Sequence, residues 1–351
     1  LHFEGVFDEL PWTLKGTIGP IRALIEPGYS LWTDLTAAVG QAKIHVAGEI
    51  QDLVNLKGMA FNVMAEGPSL AEIAKLAGVT AIPELGTFKL STRVTDPGGR
   101  LAVENLEVQI GSEAVAAISL TGAVSDILAF QGLNLHFILQ GHDVANLTQL
   151  GLPPPPMRGA FKVSGGITAP APKVFAFNDL NAVLWENEIN GQVHLNLADS
   201  VPIFRAKLTS QQSKLGPFNL DLEITATDNK LAMQRLDLQL GTEELVKLQL
   251  KGAIGDLIEM HKVDLIFQLQ SRNLANLEQV SGRPLPLRGA FNAAGKVLIP
   301  VPKNLEIPEL KITVWRNHIS GELNLDLRGD QPQLNMKLSL PHLDLSSVLA
   351  P

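Results

Sequence analysis

The sequence contains no cysteine, one tyrosine and four tryptophans among its 351 residues. Without thiols the chain can form no disulfide, iron-sulfur cluster or thiolate zinc site, a usage compatible with an oxidising compartment. Hydrophobic residues make up 45% of the chain and mean hydropathy is +0.14, yet no window approaches 18 consecutive apolar residues. No segment is therefore expected to cross a membrane as a helix. Formal net charge is -8, the isoelectric point is about 5.5, and no Lys/Arg cluster alternates with aromatics. Nucleic acid is not an expected partner, and nothing favours electrostatic docking on an anionic bilayer.

Catalytic signatures are equally sparse. No G-x-S-x-G, Walker or dinucleotide fingerprint occurs, and the eight histidines form no HxH, HxxxH or HExxH pattern, so no metal site is expected. His136 and His142 lie six apart, too loosely placed to motivate shared coordination. Carboxylates at i and i+2, Glu186 with Glu188 and Asp221 with Glu223, read as the solvated face of strands rather than an acid pair for glycoside hydrolysis. Arg158 and Arg288 hold equivalent places and could touch phosphates, although a charged strand start beside proline is the plainer explanation. The chain is not read as an enzyme, and no cofactor is expected.

What the sequence does have is repetition. Val46-Ala-Gly-Glu-Ile-Gln-Asp-Leu53 returns as Leu120-Thr-Gly-Ala-Val-Ser-Asp-Ile127 and as Leu250-Lys-Gly-Ala-Ile-Gly-Asp-Leu257. An alternating strand follows each phrase, beginning at Met59, Leu133 or Val263. Then come a short apolar pair at Leu70, Val144 or Leu274 and a Gly-x-Phe at Gly86, Gly159 or Gly289. Constant spacing of this kind marks an array rather than a single globule. The array divides into the end of a preceding repeat (1–33), a first repeat (34–105), a second with extra strands (106–236), a third (237–305) and a partial fourth (306–351). The first residue is Leu, and Leu345 to Pro351 read as the opening of another helix, so the chain reads as an interior piece of a longer protein.

The alternation places one apolar set on one side of each strand. In the three full copies this set is Met59, Phe61 and Val63; Leu133, Leu135, Phe137 and Leu139; and Val263, Leu265, Phe267 and Leu269. Leu195, Leu197, Leu222 and Ile224 belong to the extra strands, and Leu334, Met336 and Leu338 to the partial copy. Ser69, Asp143, Asn273 and Asp344 precede the apolar pairs as helix caps, Ser69 with Glu72 in a capping box. Amphipathic helices of two or three turns are expected after them, stopped by Pro83, Pro153 to Pro156, and Pro284 and Pro286. Asp96-Pro97-Gly98-Gly99, Asn190-Gly191 and Asp228-Asn229-Lys230 read as turns. The expected fold is all-β: an elongated, curled antiparallel sheet of some 18 to 20 strands with short inserted helices, enclosing an apolar trough. The same apolar residues could instead fill an ordinary core. Trp185 and Trp315, at matching places before Glu188-Ile-Asn-Gly191 and His318-Ile-Ser-Gly321, read as paired packing residues.

Pro83-Glu-Leu-Gly-Thr-Phe-Lys-Leu90, Leu101-Ala-Val-Glu-Asn-Leu-Glu-Val108, Leu120-Thr-Gly-Ala-Val124 and Asp143-Val-Ala-Asn-Leu147 resemble segments of the AsmA-like family of bacterial envelope proteins. The resemblance implies a repeating β-groove of the bridge-like lipid-transfer type, anchored in the inner membrane by an N-terminal helix and extending into the periplasm. It implies phospholipid as the cargo, outer-membrane biogenesis as the context, and envelope proteins as partners through regions beyond this chain. It brings no active-site residues. The N-terminal transmembrane helix of such proteins has no counterpart in this sequence. The alternative reading is a structural or assembly scaffold of the envelope, with a packed core and protein partners.

Overall fold

The computed structural model describes the chain except residues 8–9, 25, 27, 72–84, 151–157, 185–186, 212–215, 228–229, 278–287, 330 and 343–351. The chain is all-β, with 21 strands in antiparallel sheet, and divides into two units, Leu1–Trp185 and Glu186–Pro351. The first unit holds β1 (His2–Phe7), β2 (Leu10–Gly19), β3 (Leu31–Val39), β4 (Ala42–Asp52), β5 (Lys57–Gly67) and β6 (Phe88–Thr95). It continues with β7 (Ala102–Ser112), β8 (Ala116–Asp126), β9 (Gln131–Gly141), β10 (Phe161–Ala171) and β11 (Val174–Leu184). The second unit holds β12 (Asn187–Asn196), β13 (Ile203–Ser210), β14 (Phe218–Thr227), β15 (Lys230–Leu240) and β16 (Lys247–Asp256). Its remaining strands are β17 (His261–Ser271), β18 (Phe291–Ile299), β19 (Asn304–Val314), β20 (Asn317–Asp326) and β21 (Gln333–Ser339).

Within each unit every strand pairs with the next in sequence. Among the described residues β1 pairs only with β2 and β21 only with β20, so the sheet does not close into a barrel. Substantial packing between elements is confined to ladder neighbours, with one 3-10 helix, Ile21–Leu24, against β2 and β3.

The structure resolves the repeat into units of four strands. Every fourth strand, β4, β8, β12, β16 and β20, carries a glycine at its centre: Gly48, Gly122, Gly191, Gly252 and Gly321. A Cβ on any of these would stand 2.0 to 2.1 Å from a carbonyl oxygen of the following strand. The strand before each of the last four, β7, β11, β15 and β19, contains a β-bulge in the middle of its ladder. A bulge bends its strand and increases local twist, so from β7 onward bulge and close-approach glycine together bend the sheet once per four strands, while Gly16 of β2 makes the same close approach, to Asp34 O, outside that period. Gly191 thus sits in the middle of β12 and not in the turn expected at Asn190-Gly191. The extra strands between the second and third phrases keep the same period.

Corners also recur. Asp143 Oδ1 accepts hydrogen bonds from the N–H groups of Ala145 (2.9 Å) and Gly159 (3.1 Å), and Asn273 Oδ1 does the same with Ala275 (3.1 Å) and Gly289 (3.2 Å). Asn146 and Asn276 each donate to a carbonyl on the preceding hairpin, at 2.6 Å in both copies. In the described residues these corners are 3-10 helix, Val144–Leu150 and Leu274–Leu277, where the sequence predicts amphipathic helices; residues 151–157 and 278–287, which follow them, lie outside the described residues. In both corners a single side-chain oxygen is bonded forward into the turn and across to the glycine that precedes the next strand. Ser69 is buried and Leu70 and Ala71 begin a helix, while Glu72, Ile73, Leu76 and Pro83 lie outside the described residues. So do the prolines at 153 to 156, 284 and 286, the tip at Asp228 and Asn229, and the cap Asp344 with Leu345. Asp96 to Gly99 form the expected turn.

Candidate functional site

Register carries the apolar alternation from strand to strand. In the first unit one rung runs Phe3, Leu14, Ala37, Ile44, Ala65, Leu90, Val108, Leu120, Phe137 and Gly165, so ten successive strands offer no polar side chain. In the second unit Gly191, Leu208, Leu220, Leu238, Leu250, Phe267 and Gly295 form a seven-strand rung, with Val193, Ala206, Leu222, Leu236, Gly252, Leu265 and Val297 beside it. Met59, Phe61, Val63, Leu133, Leu135, Phe137 and Leu139 therefore share one face of the first unit. Leu195, Leu222, Ile224, Val263, Leu265, Phe267 and Leu269 share one face of the second. On the face of the first unit Phe137 packs edge-on against Phe177, ring centres 6.3 Å apart.

Burial is unevenly distributed over this surface. Large fully buried apolar residues gather near the strand ends, Phe88 and Phe161 toward one rim and Leu31, Ile50, Val103, Val124, Ile254 and Val263 toward the other, while the small Ala206 is buried in the middle of β13. Along the midline Val63, Leu120, Phe137, Leu222, Leu250 and Phe267 are only half-buried. An ordinary sandwich core shows the opposite gradient, with its centre driest. Leu197, Leu334, Met336 and Leu338 are exposed, the last three on β21, which among the described residues pairs with β20 alone.

The opposite face is polar and laced across the ladder. Arg205 pairs with Glu223 (2.7 Å), Arg235 with Asp221 (2.7 Å), Lys251 with Asp237 (2.9 Å) and Lys337 with Glu322 (2.8 Å). Asp221 and Glu223 are thus committed to cross-strand ion pairs, while Glu186, partner of Glu188 in sequence, lies outside the described residues. His142 pairs with Glu113 at 3.1 Å, whereas His136 stands in the middle of β9. A cleft of about 470 Å³ opens on this polar face over β3 to β7, lined by Lys43, His45, Met64, Glu66, Lys89 and Gln109. Strand alternation gives no hint of it, because its walls are long side chains rather than a gap in the sheet.

One ligand-type cluster escaped the sequence. Asp256, Glu259 and His261 bring carboxylate and imidazole atoms within 4.8 Å of one another at the β16–β17 tip. The spacing D-x-x-E-x-H is not an HxH, HxxxH or HExxH pattern. Asp256 Oδ1 accepts the N–H groups of Ile258 and Glu259, both at 3.0 Å, and those bonds, that of Glu259 foremost, hold its carboxyl below the usual range. Asp126 closes its own tip in the same way, so the aspartate at this position is a turn former. Asp143 is lowered for the same reason, by the N–H of Ala145 and then that of Gly159. Trp315 lies over Gly289, its indole where a Cβ would be, in keeping with a packing role; Trp185 lies outside the described residues.

No family model, curated protein or solved structure matches the chain.

Proposed function

We propose that the apolar face of each unit binds phospholipid acyl chains, and that the chain belongs to a non-catalytic, AsmA-like periplasmic conduit between the inner and outer membranes. One observation carries this reading: the half-buried midline of an apolar face that runs unbroken over many strands. Apolar patches of such extent on a protein surface mark a binding surface rather than an exposed core. Desolvation supplies the affinity, about 0.8 kcal/mol for each CH₂ removed from water. Because successive strands repeat at about 4.8 Å with the same side-chain chemistry, a chain shifted by one strand exchanges like contacts for like. Leu, Val and Ile dominate the face, which suits flexible acyl chains more than flat ligands.

Native mass spectrometry with lipid extraction tests the proposal on the purified chain and on a variant carrying Phe137→Asp and Phe267→Asp. Co-purifying phospholipid that disappears in the variant, with circular dichroism unchanged, is the expected outcome. No lipid on the parent chain, together with loss of β-signal in the variant, would make the face an ordinary core and favour an envelope scaffold.

A further inference from the structure

In a sequential antiparallel ladder the connections alternate between two rims, and within each unit the described turns of the two rims differ in exposed apolar side chains. The rim that holds the β4–β5, β8–β9 and β16–β17 tips presents Val54 (68% exposed) and Leu56 (61%), Leu128 (80%) and Phe130 (59%), and Ile258 (65%) and Met260 (48%). Leu56, Phe130 and Met260 adopt φ of +50°, +52° and +50°. That left-handed region suits Gly or Asn and strains bulky side chains, so the same disfavoured choice has been made three times at equivalent tips. Exposure adds a second cost, since nothing in the tip itself covers these side chains.

The other rim is polar. Its described turns carry Glu113 paired with His142, Glu244 paired with Arg272 at 3.2 Å, and the exposed, repeat-equivalent Arg158 and Arg288 beside the Asp143 and Asn273 corners. Away from the end strands β1 and β21, none of those described turns shows an exposed large hydrophobic side chain. The apolar face, by contrast, runs on into the first rim: Leu53, at the β4–β5 tip, packs with Met59 and Phe61 against the buried cluster of Ala23, Leu31 and Ile50.

We infer that in each unit lipid lies along the strands with a fixed polarity, its phosphate headgroup at the rim of Arg158 in the first unit or of Arg288 in the second, and its acyl ends toward the rim of apolar tips. This rests on the acyl-chain reading above and goes beyond it by assigning the two rims. A strand of 10 or 11 residues spans roughly 35 Å. One phospholipid is about half of a 40–45 Å bilayer, roughly 20–22 Å, so its headgroup reaches only one rim. Guanidinium groups recognise phosphate through charge-assisted hydrogen bonds, whereas Val54, Leu56, Leu128, Phe130, Ile258 and Met260 offer no side-chain donor.

The absence of cysteine makes the test direct. Ala160→Cys marks the polar rim and Ala129→Cys marks the tip between Leu128 and Phe130; both positions are exposed and small. Each variant is labelled with a small thiol-reactive fluorophore and mixed with phosphatidylcholine vesicles doped with lipid bearing a nitroxide on the headgroup or at the acyl terminus. The expected result is several-fold stronger quenching by the headgroup probe at position 160 and by the acyl-terminal probe at position 129. Equal quenching at both positions, or the reverse order, overturns the polarity while leaving lipid binding intact. No quenching by either probe at either position, with no lipid in native mass spectra, overturns the acyl-chain reading as well.

Discussion

Gly252→Ala should disrupt the third copy of the repeat far beyond its size. A Cβ at this position would meet Asp264 O at 2.0 Å, where ordinary contact begins near 3.4 Å, so β16 and β17 must separate locally by about 1.4 Å. The two strands pair through Gly252 and Leu265, and such a displacement breaks ladder hydrogen bonds on both sides of that pair. Each broken bond costs about 1 kcal/mol. The backbone adds to this, because φ of +147° at Gly252 is foreign to L-residues and forcing it costs about 1–3 kcal/mol. Together these give a loss of about 3–5 kcal/mol.

Amide hydrogen exchange is the suitable assay, because stability in an array is a sum over neighbouring repeats and a single global transition would blur the effect. Protection should fall in β16 and β17 and hold in β4 and β5. Gly166→Ala is the control: its Cβ would find nothing nearer than 3.8 Å. That substitution should change protection by less than about 1 kcal/mol equivalent. Gly252→Ala behaving like Gly166→Ala would refute the close-approach account of the whole glycine series.

Two further outcomes follow from the corners and turns. Asn273→Ala should lower local stability around β17 and β18 by about 1–2 kcal/mol, since it removes the acceptor for both Ala275 and Gly289. Asn273→Asp should restore it, as Asp143 already does this work; chemical denaturation with exchange detection separates the two, and equal losses would sink the argument. The Asp326 carboxyl, held by the Arg328 guanidinium and then the Arg328 N–H, should titrate at about 2 against an ordinary 3.8. The folded value is the lower one, so the unfolded chain binds more protons between them, and the stabilisation is present above 3.8 and lost as pH falls toward 2. Carbon-13 NMR should give that midpoint and show it rising toward 3.8 in Arg328→Ala; a parent midpoint already near 3.8 would contradict it.

Strands were legible because period-2 alternation survives in every copy. Leu133 to Leu139 and Val263 to Leu269, the alternating apolar sets expected from sequence alone, fall wholly within β9 and β17. The four-strand period was only partly legible. Gly48, Gly122 and Gly252 stand in recognisable phrases, but Gly191 follows Asn190, and Asn-Gly is also the strongest two-residue turn signal. Only the ladder, which pairs Gly191 with Leu208, tells a close-approach glycine from a hairpin glycine. Cap chemistry located the corners correctly at Asp143 and Asn273, yet could not foresee a second bond from the same oxygen to Gly159 or Gly289, sixteen residues on. The left-handed Leu56, Phe130 and Met260 were invisible for a different reason, since local propensity assigns that conformation to Gly and Asn.

A sheet whose buried residues gather at its rims must take its stability from the ladder and the corners more than from a central core, and one strand allows this to be measured. Leu250 and Ile254 lie two alternations apart on the same face of β16, facing Phe267 and Val263. Leu250 is half-buried on the midline, whereas Ile254 is 6% exposed near the tip rim. In a sandwich the midline residue would be the costlier to truncate, at about 2–5 kcal/mol. With an open face the order reverses: Ile254→Ala should lose about 2–4 kcal/mol and Leu250→Ala about 1 kcal/mol, because solvent already reaches the space its side chain leaves. Adding phosphatidylcholine should widen the cost of Leu250→Ala, since bound lipid stabilises the parent chain through contacts the variant lacks. A larger loss for Leu250→Ala than for Ile254→Ala without lipid would mean that the midline is dry, and with it the trough would be gone.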